Sequence, residues 1–129
     1  MTGPRHTILV VDDSPPNVKL LSFLFASKGY EVRTANGAAE ALSHVARSVP
    51  DLILMDLQMP GIDGFELTRR IKGDPSVGNV VIIAVTAYTL REDEARARAA
   101  GCDAYVTKPI DTRTLPRLVA DFLSPEPDR

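Results

Sequence analysis

Three stretches dominated by apolar residues, at 7–11, 51–56 and 80–85, show no polar alternation. A short apolar run without alternation predicts a strand buried on both faces. Helical periodicity fills the intervals. After Ser14, Pro15 and Pro16, the spacing of Leu20, Leu21, Leu24 and Phe25 predicts a helix starting at residue 15 or 16 and stopped by Gly29. Val18 and Phe23 fall off that face, so Phe23 is expected as a part-buried surface residue. Residues 30–35 alternate with Val32 inward, a weaker strand signal. Asn36 and Gly37 can cap a second helix with the stripe Ala38, Ala41, Leu42, Val45 and Val49, ended by Pro50.

Asp63 and Gly64 open a third helix carrying Phe65, Leu67 and Ile71, and turn chemistry follows from Asp74 to Asn79. Thr89 and Glu92 form a capping box for a fourth helix. That helix offers the i,i+4 pairs Glu92–Arg96 and Glu94–Arg98, but its apolar content is mostly alanine plus Leu90. Its hold on the core should be weak, which suits a movable element. A short strand at 103–107 precedes a last helix from about Asp111 to Leu123, where Pro116 requires a late start.

Five strands thus alternate with five helices, which predicts an α/β fold: a doubly wound parallel sheet with helices on both faces. In such sheets a ligand site lies outside the carboxyl ends of the strands, at the topological switch point. The residues at or just after those ends are Asp12, Asp13, Asp56, Thr86 and Lys108.

Composition narrows the class. A chain of 129 residues is one domain, long enough for a core without staples. The polar start, residues 1–6, and the tail, 124–129, are expected to be disordered, leaving a domain at 7–123. Net charge is −2, which offers no broad surface for nucleic acid or anionic membrane. No run reaches the length of a membrane span and no apolar signal core is present. The single cysteine, Cys102, excludes an internal disulfide and reads as a small buried hydrophobe in a reducing, cytoplasmic setting. His44 has no second ligand at metal spacing.

Taken singly, the rim residues have ordinary readings. Asp12, Asp13 or Asp56 can cap a loop or helix, Thr86 can bond backbone, Lys108 can be solvated, and Tyr105 can be core. Together they define a chemistry. Two like charges about 4 Å apart repel by about 4 kcal/mol at an effective dielectric of 20, so three carboxylates call for a cation. An all-oxygen site suits magnesium, whereas zinc prefers His or Cys. Lys108 and Thr86 suit phosphoryl oxygens, and Asp56 can then act as a carboxylate nucleophile accepting a phosphoryl group.

At this point the chain resembles the receiver domains of response regulators, the CheY-like family. The resemblance runs over about residues 7–123. It is carried by Asp12-Asp13, the turn from Asp56 through Gly61 with Asp63-Gly64, Val85-Thr86-Ala87, and Tyr105 to Pro109. It implies the flavodoxin-like strand order 2-1-3-4-5. It also implies Asp56 as phosphoacceptor from a histidine kinase or histidine phosphotransfer protein, and Mg2+ on Asp12, Asp13, Asp56 and the Gln58 backbone carbonyl. Lys108 and Thr86 would contact the phosphate, Thr86 and Tyr105 would form the switch, and the Lys108–Pro109 peptide would be cis. Gln58 and Tyr88 would tune the acyl-phosphate lifetime.

The implied function is a switch that catalyses only its own phosphorylation and dephosphorylation. Its output would be a downstream protein target on the face made by the fourth helix, fifth strand and last helix, or onward relay of phosphate. No direct nucleic-acid or membrane partner is implied, and either a monomer or a phosphorylation-dependent dimer is compatible. Residues 124–129 cannot hold an output domain, so a whole protein of this length would act by contact.

Three rivals share parts of this pattern. A haloacid-dehalogenase-type phosphatase normally needs a second acid two residues after the nucleophile, where Gln58 stands. A flavin mononucleotide binder wants amide and hydroxyl donors in the first loop, but residues 12–16 are acidic and lose two amide hydrogens to proline. A non-signalling interaction module would keep the fold and bind no magnesium.

Overall fold

The computed structural model describes residues 6–59, 61, 63–77, 79–87 and 91–123. In chain order the elements are β1 (Thr7–Val11), α1 (Pro15–Ala26), β2 (Glu31–Ala35), α2 (Ala38–Arg47) and β3 (Leu52–Met55). They continue with α3 (Gly64–Lys72), β4 (Val81–Thr86), α4 (Arg91–Ala100), β5 (Ala104–Thr107) and α5 (Thr114–Leu123). All pairings are parallel, in the order β2-β1-β3-β4-β5.

The reversal of strand order lies at β1 and β3, so the carboxyl ends of these two neighbours border the switch point. The unbroken apolar strands follow from burial on two sides. Leu9, Val11, Ile53, Met55, Ile82 and Ala84 pack toward α2, α3 and α4. Ile8, Val10, Leu52, Leu54, Ile83 and Val85 pack toward α1 and α5. Period-two side-chain alternation thus serves two cores at once.

Several expectations shift. On α1 the buried residues are Leu21 and Phe25, with Val18 and Leu24 packed beside them, whereas Leu20 is 40% exposed. Apolar residues occupy more than one side of this helix, so spacing alone misplaced its inner face by about one position. Phe23 is 75% exposed, more open than the part-buried role expected of it. In the second helix, Val49 lies outside α2: Ser48 turns to extended backbone (φ −163°, ψ 113°) after Arg47, so the helix ends before Val49 can join its stripe. Gly37 is the N-cap of α2, as expected, its carbonyl accepting the Ala41 N–H at 3.0 Å, but no side chain caps the helix; the Asn36 backbone N–H is held by Glu40 Oε1 at 2.9 Å.

The last helix starts at Thr114 rather than Asp111. The Asp111 carboxylate accepts the N–H groups of Arg113 (2.9 Å) and Thr114 (3.3 Å), forming a turn ahead of the helix. Pro116 therefore falls in the first turn, where its missing N–H forfeits no intrahelical bond. Glu94 pairs with Arg98 at 3.2 Å. Arg96 does not pair with Glu92; its guanidinium lies 4.0 Å from the centroid of the Phe65 ring. Helix α4 buries only Ala97 and Ala100, in keeping with its alanine content. Thr89, Leu90, Tyr88 and both terminal tails (residues 1–5 and 124–129) lie outside the described residues. Cys102 is buried, with its thiol 3.9 Å from Thr68 Oγ1. Among the described residues no helix is long and apolar enough to cross a membrane.

Candidate functional site

The sheet ladder sets the rim. Beyond β1, the Asp12 N–H donates to the Ala35 carbonyl (3.1 Å), and beyond β3 the Asp56 N–H donates to the Val11 carbonyl (2.9 Å). The Lys108 N–H donates to the carbonyl of Thr86, the last residue of β4 (2.8 Å). Each residue just past a strand is therefore held by its neighbouring strand. The five rim residues come from four chain segments far apart in sequence.

Asp12 and Asp56 are 2% and 4% exposed, and Asp13 is open to solvent. One oxygen from each of the three carboxylates lies within 4.8 Å of the others. The two buried acids are built alike. Each turns Oδ1 back to the backbone N–H two residues on: Asp12 to Ser14 (2.8 Å) and Asp56 to Gln58 (2.9 Å). Each turns Oδ2 to Lys108, whose Nζ lies 3.2 Å from Asp12 and 3.4 Å from Asp56. Asp12 thus does hold the backbone ahead of α1, but with one oxygen only. The other is directed into the pocket.

Burial pushes the Asp56 carboxyl above the ordinary aspartate range, and repulsion from Asp12 adds to it. The Gln58 N–H and the Lys108 ammonium oppose this without reversing it. One ammonium between two buried carboxylates leaves the cluster net negative, with exposed Asp13 beside it. All the clustered donors are hard oxygens, so the set fits a magnesium ion rather than a softer metal.

Thr86 is fully buried at the end of β4. Tyr105, on β5, is half-buried against the α2–α4 side of the core and pairs in register with Ala84. The Lys108–Pro109 peptide is cis. Gln58 is exposed, its side chain free of the carboxylate that its backbone N–H contacts. Tyr88 lies outside the described residues.

The sequence marks Gly64 as a helix start and, with Asp63, as part of the resemblance, without a reason for a glycine there. A Cβ there would meet the Asp56 carbonyl oxygen and Leu57 Cα, each at 2.6 Å. The Gly64 N–H donates to the Leu57 carbonyl at 3.2 Å. The first turn of α3 therefore packs directly on the backbone that carries Asp56. Asp63 caps the same turn by accepting the Glu66 N–H (2.9 Å). A glycine following a residue that already caps the helix was the available hint, since glycine is a poor choice for a first helical turn unless backbones approach closely.

A parallel five-stranded sheet with an acid trio and a lysine at its switch point defines a phosphoryl-accepting receiver. Residues 8–120 match the family model described as the response regulator receiver domain. The chain is 42% identical over 119 residues to the polar-differentiation response regulator DivK of Brucella anthropi, covering 92% of this chain and 94% of that protein. The chemotaxis protein CheY4 of Vibrio cholerae superposes with a TM-score of 0.87 at 28% identity, over 92% of this chain and 99% of that one. The receiver domain of the sensor histidine kinase PA1611 from Pseudomonas aeruginosa, crystallised with a magnesium ion coordinated in its active-site cleft, matches with a TM-score of 0.85 at 31% identity, over 94% and 99%. The chain belongs to the response regulator receiver domain family, the phosphoacceptors of two-component signalling.

Proposed function

We propose that Asp56 is the phosphoacceptor and that Asp12, Asp13 and Asp56, with the Gln58 carbonyl, hold Mg2+ beside it. The observation that carries this reading is the shared Lys108 contact. Two buried carboxylates from adjacent strand ends meet one ammonium, with a third carboxylate alongside. Asp56 Oδ1 is held by Gln58, so Oδ2 is the oxygen turned toward an incoming donor. That oxygen attacks the phosphorus of a phosphohistidine, or of a small acyl phosphate; the bond from phosphorus to the leaving group breaks, and the departing imidazole nitrogen is reprotonated by solvent. Lys108 moves from carboxylate to phosphoryl oxygen, and Thr86 donates its hydroxyl to another. Bound magnesium supplies neutralising charge for the phosphoryl oxygens. Hydrolysis by water reverses the modification, and the side chains at positions 58 and 88 set its rate. The protein is on this reading a switch rather than a turnover enzyme, because the only group it transforms is its own carboxylate.

The output follows from the packing. Phosphorylation adds about −1.5 to −2 charge and new acceptor oxygens at Asp56. Thr86 turning toward them vacates space that Tyr105 fills, and lightly anchored α4 moves with them. The α4–β5–α5 face then changes its affinity for a downstream protein target, a population shift limited by the differential affinity for the two states. The partners are a sensor histidine kinase or histidine phosphotransfer protein in the cytoplasm, with the chain monomeric or dimerising on phosphorylation.

Treatment with a small acyl-phosphate donor and Mg2+ should add one phosphate by mass, and Asp56→Asn should abolish it. An adduct surviving in Asp56→Asn would refute the assignment. A short lifetime would be exposed by beryllofluoride, which should bind the wild type with Mg2+; failure of both reagents would also refute it.

A further inference from the structure

A second site lies away from the acid pocket. Lys28, Tyr30, Arg113, Pro116, Arg117 and Ala120 line an open groove of about 410 Å³. These residues come from the chain just past α1, the lead into β2, the turn before α5, and α5 as far as Ala120. The chain as a whole carries a charge of −2, so three cations around one groove do not follow from a basic composition.

Their bonding state sets this cluster apart. Among the described residues, neither the Lys28 nor the Arg117 side chain has an ion-pair or hydrogen-bond partner. Arg113 meets Asp111 at 3.5 Å, but its side chain is 86% exposed, so water screens that pair. The other basic patch, with Arg33, His44 and Arg47, behaves differently: Arg33 already donates to the carbonyl and hydroxyl of Ser48. Lys28 and Arg117 thus bring two unpaired cationic side chains to one groove, beside the weakly held Arg113. Tyr30 gives it a fixed aromatic wall, half-buried and set edge-on against Phe25 with ring centroids 5.8 Å apart.

We propose that this groove binds a phosphate-bearing small molecule of nucleotide size. Its volume lies within the range of small-ligand sites. Two guanidinium forks and one ammonium at separate points suit several phosphoryl oxygens, and the tyrosine ring offers a face or edge to a planar group. An acidic segment of a partner protein fits less well. Protein anchors are apolar or aromatic groups in desolvated pockets, and Pro116 and Ala120 provide little of that. The site shares no lining residue with the Asp12–Asp56 pocket and is independent of the phosphoacceptor assignment.

The test titrates the full-length protein, in chelator to keep magnesium from the acid pocket, with pyrophosphate, ADP and adenosine at about 150 mM salt. Amide chemical shifts locate the binding. ADP should bind saturably and move the amides of Lys28, Tyr30 and residues 113–120, pyrophosphate should bind the same place more weakly, and adenosine should not bind. The double variant Lys28→Gln, Arg117→Gln, both surface positions, should weaken ADP by about tenfold or more. Asp56→Asn should leave ADP affinity unchanged. The proposal is overturned if neither anion saturates, if the shifts fall on residues 12, 56 and 108, if the double variant binds equally well, or if a glutamate-rich peptide binds the groove while ADP does not.

Discussion

Replacing Asp56, the proposed phosphoacceptor, by asparagine should stabilise the metal-free protein at neutral pH. The carboxylate is 4% exposed and stands within 4.8 Å of oxygens from Asp12 and Asp13. At an effective dielectric of about 20, Asp12 alone repels it by about 3.5 kcal/mol or more, and exposed, screened Asp13 adds a smaller amount. Lys108, at 3.4 Å, attracts it by about 5 kcal/mol on the same scale. Attraction and repulsion nearly cancel, and the cost of stripping water from a buried ion remains. The Gln58 N–H offsets part of that cost, and an asparagine oxygen can keep this bond. Lys108 keeps Asp12. A net gain of about 1–2 kcal/mol follows for the variant.

The sign with pH is fixed by the upward shift of the Asp56 carboxyl. Between the ordinary aspartate value and the raised one, the native protein holds a proton that the unfolded chain has released. The stability this group contributes is therefore present in acid and falls as pH rises through the native value. Urea unfolding in chelator should show the variant ahead at about pH 7.5 and the gap closing toward about pH 4. Magnesium should narrow the gap by stabilising the wild type more. A variant less stable than wild type at neutral pH without metal, or a gap that ignores pH, would refute the reasoning.

Gly64→Ala should destabilise the fold by about 1–3 kcal/mol and slow phosphorylation by an acyl phosphate, because its methyl group runs into the backbone at Asp56 and Leu57; unfolding and mass-detected phosphorylation measure both. Arg96→Ala should cost about 0.5–1 kcal/mol and speed hydrogen exchange in α4 relative to α3, since the guanidinium on Phe65 is a main tie of that helix to its neighbour. Lys72→Met should cost about 1–2 kcal/mol in urea unfolding. Its ammonium holds the Val80 carbonyl at 2.8 Å and Asp103 at 2.9 Å, where Asp103 also accepts the Ile82 N–H.

The acid pocket was readable in the chain because strands end in a way that patterns report. Asp12, Asp56 and Thr86 each close an apolar run, and a parallel sheet brings such ends to one rim. The same logic located the cis-linked Lys108 just past β5. What failed were judgements within a helix of mixed faces: α1 is apolar on several sides, so the burial of Leu21 rather than Leu20 depended on how it settled against β1 and α5. The late start of α5 depended on Asp111 binding two backbone amides, a local alternative to helix that periodicity does not register.

The chain alone therefore determined the alternation of elements, the parallel sheet and the five polar groups at its carboxyl edge. It did so because hydrophobic period and turn chemistry are local properties. Tertiary structure alone decided that Lys108 bridges Asp12 and Asp56, that Gly64 is needed for a backbone to lie against Asp56, that Arg96 leaves Glu92 for Phe65, and that the Lys28 and Arg117 side chains line one groove with no partner among the described residues. Each of these is a distance between residues remote in sequence or competing for one partner, and only the packed sheet and helices set such distances.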